Sequence, residues 1–367
     1  MPGEPSLFSA ADYTFMAEAI RLAEKGLYTT SPNPRVGCVI VKNHQIIGRG
    51  WHEKAGQPHA EINALKQAAS EVKGSTVYVT LEPCCHYGRT PPCTDALINA
   101  GIAKLIIAAQ DPNPRVAGKG IKQLKAAGIE VQYGLLEAQA NQLNIGFVSR
   151  MTRQRPWITV KIASSLDGKI ALANGKSQWI TGEAARTDVH RLRARSCAIL
   201  TGINTVKQDD PELSVRYIQT TRQPFRVILD NRLEIATNAK VLQKPGSLIF
   251  TTLQDNQKID SLSEKGARVV VLSSSTGKLD LAEVMSTLAE LEINEVLVEA
   301  GSTLSSAFVE SRLVDEIIIY FAPIVLGNYA QSMLNLPELT SLSQKWQLEI
   351  KEIGKVGSDI KITAKLI

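Results

Sequence analysis

Two short stretches concentrate the reactive side chains of this chain: His59-Ala60-Glu61, and the run from Pro83 through Cys84 and Cys85 to Cys93. Together they offer an imidazole, thiols and a carboxylate. One His and two Cys suit zinc, and three such ligands leave the fourth position of a tetrahedral ion open to water, as a catalytic rather than a structural site requires. The ion lowers the pKa of that water toward neutrality, and a Glu that is not a ligand can pass its proton to a departing amine. The chemistry these residues point to is hydrolytic removal of an amino group.

The order H-x-E…P-C is the signature of zinc deaminases, where the second thiolate ordinarily follows two residues after the first. Here Cys85 is adjacent to Cys84, and the next cysteine, Cys93, lies beyond the eight-residue insert CHYGRTPP. Gly88 and the Pro91-Pro92 pair supply the turns for that insert to fold back. Neighbouring side chains point in different directions, so Cys84 and Cys93 are taken as the ligands, with Cys85 the rival. Simple burial of thiols accounts for Cys38 and Cys197, which sit in apolar runs. It leaves the joint spacing of His59, Glu61, Cys84 and Cys93 unexplained. A closed structural zinc lacks a fourth Cys or His at ligand spacing.

A chain of 367 residues exceeds the size at which one core keeps growing, which predicts two domains. No apolar run is long enough to span a bilayer, and the opening MPGEPSLFSAADY lacks the basic and then apolar regions of a signal peptide. Five cysteines, an odd number with metal-ligand spacing, fit a reducing compartment. The predicted location is the cytoplasm. The net charge of +5 is spread evenly, with 15 Lys and Arg against 12 Asp and Glu in residues 1–150, and 26 against 24 in the rest. No polybasic block argues for nucleic acid, and the mild excess suits a phosphorylated small molecule. The densest basic run, Arg186, Arg191, Arg193 and Arg195, reads first as the solvated face of a helix.

The elements that must position these residues follow from apolar periodicity. Residues 10–25 have helical spacing, with Gly26 as a stop. VGCVIV and IIGRGW, joined by residues 42–45, read as a hairpin. A helix over 59–69, a strand over 76–81, a helix over 94–100, a strand over 104–110, a helix over 119–127 and a strand over 130–134 complete a three-layer α/β/α unit. Both halves of the metal set then sit at helix beginnings. The first domain is expected to end near residue 146, with a linker over 144–156 marked by Arg150, Arg153, Arg155 and Pro156. Beyond it, strands (WITVKIA, CAILTG, RVILD, SLIFTT, RVVVL, EVLVEAG, EIIIYFAP) alternate with helices over 183–195, 281–291 and 302–313, predicting a mostly parallel sheet. The tail reads as an antiparallel pair turning near Gly357.

EVLVEAG runs into Gly301-Ser302-Thr303-Leu304-Ser305-Ser306 and a helix. Free N–H groups and the positive end of the helix dipole there could take a phosphate, although Ser and Thr are also ordinary caps. No G-x-G-x-x-G fingerprint is present. A second polar cluster lies in residues 164–169, 177–182 and 201–202, with Asp209, Asp210 and Arg216 in the same half. Ligands of open α/β sheets bind at such strand ends, so this domain is expected to bind a phosphorylated ligand.

NPRVGCVIV, GWHEKAGQPHAE, TLEPCCHYGRTPPC and DPNP, followed by SLDGKIA, SQWITG, DDPELSVR and VEAGSTL, closely resemble the bifunctional deaminase/reductase family of riboflavin biosynthesis over nearly the whole chain. The resemblance implies a cytidine-deaminase-like domain over residues 1–148. Its activity would be hydrolysis of the 2-amino group of 2,5-diamino-6-(5-phosphoribosylamino)pyrimidin-4(3H)-one. It also implies a dihydrofolate-reductase-like domain over 154–367, which reduces the ribosyl group of the deaminated product with NADPH. It assigns zinc to His59, Cys84 and Cys93, proton transfer to Glu61, and substrate contacts to Asn33, His52, His86, Arg89, Asp111 and Asn113. A Lys rather than Arg is the family's expected residue at position 89. For the second domain it assigns NADPH to Ala163, Trp179, Thr205, Asp209 and the loop Gly301, Ser302, Thr303, Leu304, Ser305, Ser306 and Ala307. It assigns the sugar phosphate to Ser177, Arg193, Leu213, Arg216 and Glu299, with Lys161 near the pyrimidine. The expected partners are these phosphoribosylaminopyrimidines and a second copy of the chain, as a dimer through the reductase domain.

Two other readings compete. One is a monofunctional nucleotide or tRNA deaminase with a non-catalytic ligand-binding second domain. The other is a binding module with a structural zinc, which leaves the unliganded Glu61 without a purpose.

Overall fold

The computed structural model describes residues 7–87 and 91–367, and the chain divides into two compact units, Met1–Gln154 and Arg155–Ile367. The first unit runs α1 (Ala10–Glu24), β1 (Gly37–Lys42), β2 (Gln45–Trp51), α2 (Ala60–Ala68), β3 (Thr76–Leu81), α3 (Cys93–Asn99), β4 (Lys104–Ala109), α4 (Lys119–Ala126), β5 (Glu130–Tyr133), α5 (Glu137–Leu143) and α6 (Ile145–Arg153). A capping box starts α1: Asp12 N donates to Ser9 Oγ at 3.3 Å, and Ser9 N to Asp12 Oδ2 at 2.8 Å. The sheet order is β2-β1-β3-β4-β5. One face buries Met16, Leu22, Leu135 and Phe147, and the other Ala60, Ala64, Leu97 and Leu124, which gives the three layers.

The direction of the strands decides where the polar residues gather. β1 runs antiparallel to both β2 and β3, and β3 is parallel to β4. The carboxyl ends of β2, β3 and β4 and the amino end of β1 therefore share one edge. The segments leaving that edge carry His52 and His59, Glu82 and Cys84, Asp111, and Asn33.

A helix occupies most of the stretch read as a linker. Gly146, Phe147 and Ser149 of α6 are buried, and Phe147 joins the core beneath α1. Two of the three arginines that suggested a tether, Arg150 and Arg153, sit on this helix, with the Arg150 guanidinium 5.9 Å from the Phe147 ring centroid, while Arg155 lies beyond it and pairs with Asp315 at 2.8 Å. The first unit accordingly extends past residue 146 to Gln154.

The second unit runs β6 (Trp157–Ser165), β7 (Lys169–Ala171), α7 (Glu183–Arg195), β8 (Ala198–Gly202), α8 (Ile203–Asp209), β9 (Phe225–Leu229), β10 (Ser247–Thr251), α9 (Asn256–Glu264), β11 (Ala267–Val271), α10 (Leu281–Glu290), β12 (Glu295–Glu299), α11 (Ser302–Glu310), β13 (Glu316–Ala322), β14 (Gln331–Ser332), β15 (Leu348–Val356) and β16 (Asp359–Leu366). Its nine-stranded sheet has the order β11-β10-β9-β8-β12-β6-β13-β16-β15. It is parallel up to β13, and only the tail pair β16 and β15 is antiparallel. Buried Val160, Leu200, Val298 and Phe308 pack on one face, and Ile199, Ile228, Val241 and Leu262 on the other. Helices α8 and α9 are too short for their periodicity to stand out in the sequence.

Gly50 sets how closely α2 lies on β2, because a Cβ there would fall on the Ala60 carbonyl and the Ala64 amide. Gly50→Ala should therefore destabilise the first unit by roughly 1–3 kcal/mol, the usual cost of overpacking a filled contact. A lower midpoint for the first unit in a thermal melt, with the transition of the second unit unmoved, is the expected result.

Candidate active sites

His59 occupies the N-cap of α2 in an extended conformation but makes no capping hydrogen bond. Its ring turns toward two thiols instead. Nδ1 lies 3.3 Å from Cys93 Sγ and 3.6 Å from Cys84 Sγ, and the three ligand atoms fall within 4.8 Å of one another. A tetrahedral zinc with Zn–S of about 2.3 Å and Zn–N of about 2.0–2.1 Å sets S···N edges of about 3.6 Å. The residues present fit that ion. Cys93 opens α3, and its backbone N–H donates to Cys84 Sγ at 3.4 Å. Hydrogen bonding from the Cys93 thiol, and then from His59, holds Cys84 down to about 4, while the same pairing pushes Cys93 up. One thiolate is thus ready at neutral pH, and a cation would claim the second. Cys85 lies outside the cluster.

Glu61, in the first turn of α2, is buried, and desolvation followed by the charge of Cys84 raises its carboxyl to about 7. Beside it His52 is buried with its ring edge-on to His59, centroids 5.2 Å apart. His52 Nδ1 donates to the Pro58 carbonyl at 3.2 Å, leaving Nε2 to accept from Asn33 Nδ2 at 3.1 Å. Burial lowers the His52 pKa and favours this neutral form. Asn33 is thereby oriented with its amide oxygen unspent in that bond. Asp111 is buried and raised to about 7, chiefly by desolvation, and its Oδ1 accepts from Asn113 N at 2.8 Å. His86 is exposed on the insert. Arg89 lies outside the described residues.

One buried residue in this region escaped the sequence reading. Glu82 is 3% exposed and accepts three backbone amides, those of Asp111, Gly118 and Ile121. Its place between the end of β3 and the metal-ligand loop was visible, but the amides come from a segment about thirty residues away.

In the second unit a cleft of about 770 Å³ opens at the carboxyl ends of β6, β8 and β12. Its walls include Lys161, Ala163, Ser177, Trp179, Arg193, Thr205, Asp209, Leu213, Arg216, Glu299 and Gly301. Ser302 to Ala307 do not line it. Ser305 and Ser306 are buried, and Ser306 Oγ accepts from Asn335 N at 2.6 Å. What faces the cleft is Gly301, the N-cap of α11, which makes no side-chain cap and has nothing within 4 Å of where a Cβ would stand. Open space before uncapped N–H groups at a helix start fits a phosphate of a coenzyme. Trp179, 70% exposed, presents a ring with the Arg186 guanidinium 4.9 Å from its centroid. Asp209, on the cleft wall at the end of α8, has a carboxyl raised by desolvation.

Arg193 differs from the free cation that a phosphate contact calls for. Its Nε and Nη2 pair with the two oxygens of Glu299 at 2.6 and 2.9 Å, and Nη1 donates to the Ser214 carbonyl at 3.2 Å. Glu299 is in register with Lys161 on the adjoining strand. Its carboxyl is depressed by Arg193 against the opposing effect of burial. Arg216 is more open. It meets Glu212 Oε2 at 3.2 Å, both side chains substantially exposed, a pairing worth little in water. Elsewhere on α7, Arg195 pairs with Glu295 at 2.9 Å and Arg186 donates to the Thr181 carbonyl at 2.8 Å, whereas Arg191, 58% exposed and 3.4 Å from Asp188, fits the solvated face.

Residues 9–109 match the family described as the cytidine and deoxycytidylate deaminase zinc-binding region, and residues 156–362 match the RibD C-terminal domain. The chain is similar to the riboflavin biosynthesis protein RibD of Escherichia coli, 45% identical over 95% of this chain and 98% of that one. The Haemophilus influenzae protein of the same name is 46% identical over 97% and 98%. Among solved structures, Acinetobacter baumannii RibD superposes with a TM-score of 0.91 at 44% identity, covering 97% of this chain and 99% of that one. A Thermotoga maritima protein, titled a diaminohydroxyphosphoribosylaminopyrimidine deaminase/5-amino-6-(5-phosphoribosylamino)uracil reductase, superposes with a TM-score of 0.86 at 33% identity and the same coverage.

The ligand geometry yields a direct test by metal analysis of purified variants. Cys93→Ser should lose zinc, since a hydroxyl is a poor substitute for thiolate in a three-ligand site. Cys85→Ser should retain the wild-type zinc content. The reverse pattern would move the ligand role to Cys85.

Proposed function

The chain belongs to the RibD family of riboflavin biosynthesis proteins, and from that premise we infer that it carries two activities in succession, a deaminase in the unit ending at Gln154 and a reductase in the unit starting at Arg155. The first hydrolyses the 2-amino group of 2,5-diamino-6-(5-phosphoribosylamino)pyrimidin-4(3H)-one. The second reduces the ribosyl group of 5-amino-6-(5-phosphoribosylamino)uracil to ribityl. The single observation that carries the reading is the His59, Cys84 and Cys93 cluster with the unliganded, buried Glu61 beside it. A deaminase whose second domain only binds ligand is disfavoured by the match of residues 156–362 to the RibD C-terminal domain.

His59, Cys84 and Cys93 would hold zinc, which would supply the Lewis acidity that makes water a nucleophile near neutral pH. Glu61 moves the proton from the attacking water to the departing amine. Its burial in the first turn of α2 favours the protonated form of the carboxyl, so it can hold the proton it takes before passing it on. Asn33, steadied by His52, hydrogen-bonds the pyrimidine edge, Asp111 and Asn113 bind from the loop after β4, and His86 and Arg89 serve the phosphate.

When bound, NADPH supplies the hydride of the second step. Ala163, Trp179, Thr205 and Asp209 would hold the coenzyme, and Gly301 with the start of the segment ending at Ala307 would offer backbone N–H groups to its phosphates. Ser177, Leu213, Arg216 and Glu299 hold the sugar phosphate, and Lys161 faces the pyrimidine. Arg216 can exchange its weak surface partner for the phosphate. Arg193 is spent on Glu299 and so aims that carboxylate at the sugar.

The reductase unit also supports a homodimer. β15 is an edge strand of the sheet with Leu348, Ile350 and Ile353 exposed at 40%, 55% and 62%. Unpaired apolar edges of this kind are usually covered. No helix among the described residues is long and apolar enough to cross a membrane, and a site built on free thiols calls for the reducing conditions of the cytoplasm.

Purified protein given the diaminopyrimidine ribotide should release ammonia and oxidise NADPH. Glu61→Gln should keep zinc, lose ammonia release by a factor of about 10² to 10⁴, and still oxidise NADPH when given the deaminated ribotide. Ammonia release at the wild-type rate would remove Glu61 from the mechanism. Sedimentation velocity should find a dimer, and Ile350→Lys with Ile353→Lys should shift it to monomer. An unchanged sedimentation coefficient would place the interface elsewhere.

A further inference from the structure

We propose that Glu82 is a positioning residue for deamination, holding the loop that carries Asp111 and Asn113 at a fixed distance from the metal-ligand loop. The proposal rests on the deaminase reading above. Glu82 leaves the end of β3 two residues before Cys84, yet its carboxylate faces the segment after β4. Oε2 accepts from Asp111 N at 3.3 Å and from Gly118 N at 2.9 Å, and Oε1 accepts from Ile121 N at 3.1 Å. The first two bonds straddle the turn over residues 112–117, so one oxygen ties both ends of that loop. The third fastens the first turn of α4.

Three amides on one buried carboxylate are more than local packing requires. A carboxylate offers lone pairs to all three amides with no proton of its own turned toward a donor, and bonds to an ionised acceptor are stronger than neutral ones. Gly120 completes the arrangement. A Cβ there would collide with the Pro83 carbonyl and approach Glu82 Oε1, so the start of α4 lies directly on the peptide that precedes Cys84. Burial of Asp111 and Glu82, both under a tenth exposed, keeps the two carboxyls close. Asp111 is thereby held at both ends, its backbone N–H on Glu82 Oε2 and its own Oδ1 accepting from Asn113 N at 2.8 Å. Glu82 thus acts on substrate only through Asp111 and Asn113.

Glu82→Gln is the informative change, since it keeps the shape and replaces one acceptor oxygen with an NH₂ that faces amide donors. In the full-length protein it should raise the deamination KM roughly tenfold or more, with kcat falling less, because misplacement of a binding group by about an ångström costs up to 10²-fold. Zinc content and NADPH oxidation with the deaminated ribotide should stay at wild-type levels. In an Asp111→Asn background the same substitution should add less than twofold, as expected when two residues act as one unit. Hydrogen exchange over residues 110–121 should accelerate in Glu82→Gln whatever the enzyme's substrate. Unchanged exchange, a wild-type KM, or a loss that merely tracks zinc content would each overturn the proposal. If the wild-type protein released no ammonia, the deaminase reading would fail while the exchange measurement still decided whether Glu82 holds the loop.

Discussion

Parallel pairing of neighbouring strands is the constraint on which both sites depend. In the first unit β3 and β4 run side by side in the same direction, so the residues that follow them emerge at one edge and must share space. Cys84 and Asp111 are neighbours for that reason alone. In the second unit β6, β12 and β8 obey the same rule, which brings Lys161, Glu299 and the turn into α8 to one cleft. Helix starts are then added at those edges. Cys93 and His59 stand at the beginnings of α3 and α2, and the backbone N–H that opens α3 donates to Cys84 Sγ, which favours the thiolate there.

Three buried carboxyls in the first unit show how environment divides labour among similar groups. Glu82 is surrounded by amide donors and serves as an anchor. Glu61 lacks comparable support and is raised to about 7 by burial and the charge of Cys84, in the range useful for moving protons. Asp111 reaches about the same value with one amide on its carboxylate. The distinction follows from which backbone N–H groups point at each oxygen, and those are fixed by the loops between strands and helices.

The second unit uses charge differently. Arg193, Glu299 and Lys161 form a row in which the central carboxylate is pinned by a bidentate guanidinium. Removing either partner of such a pair leaves a charge stranded in poor solvent, so the pair behaves as one structural piece. The more available cation is at the rim, where Arg216 is held by the exposed Glu212 carboxylate and the Ser214 hydroxyl.

Much of this was legible in the residues themselves. The spacing of His59, Glu61, Cys84 and Cys93 identifies a metal chemistry because few other arrangements explain it, and the alternating apolar runs specify a three-layer unit followed by a mostly parallel sheet, since periodicity is a local property. Adjacent side chains diverge, so even the exclusion of Cys85 from the metal cluster was legible locally. Contacts between distant segments were not. Nothing in the sequence says that Arg193 faces Glu299, that Glu82 gathers amides from the loop after β4, or that the arginines of residues 150–153 sit on a helix rather than a tether. Side-chain charge shows which groups can pair, and only strand order and register decide which ones meet.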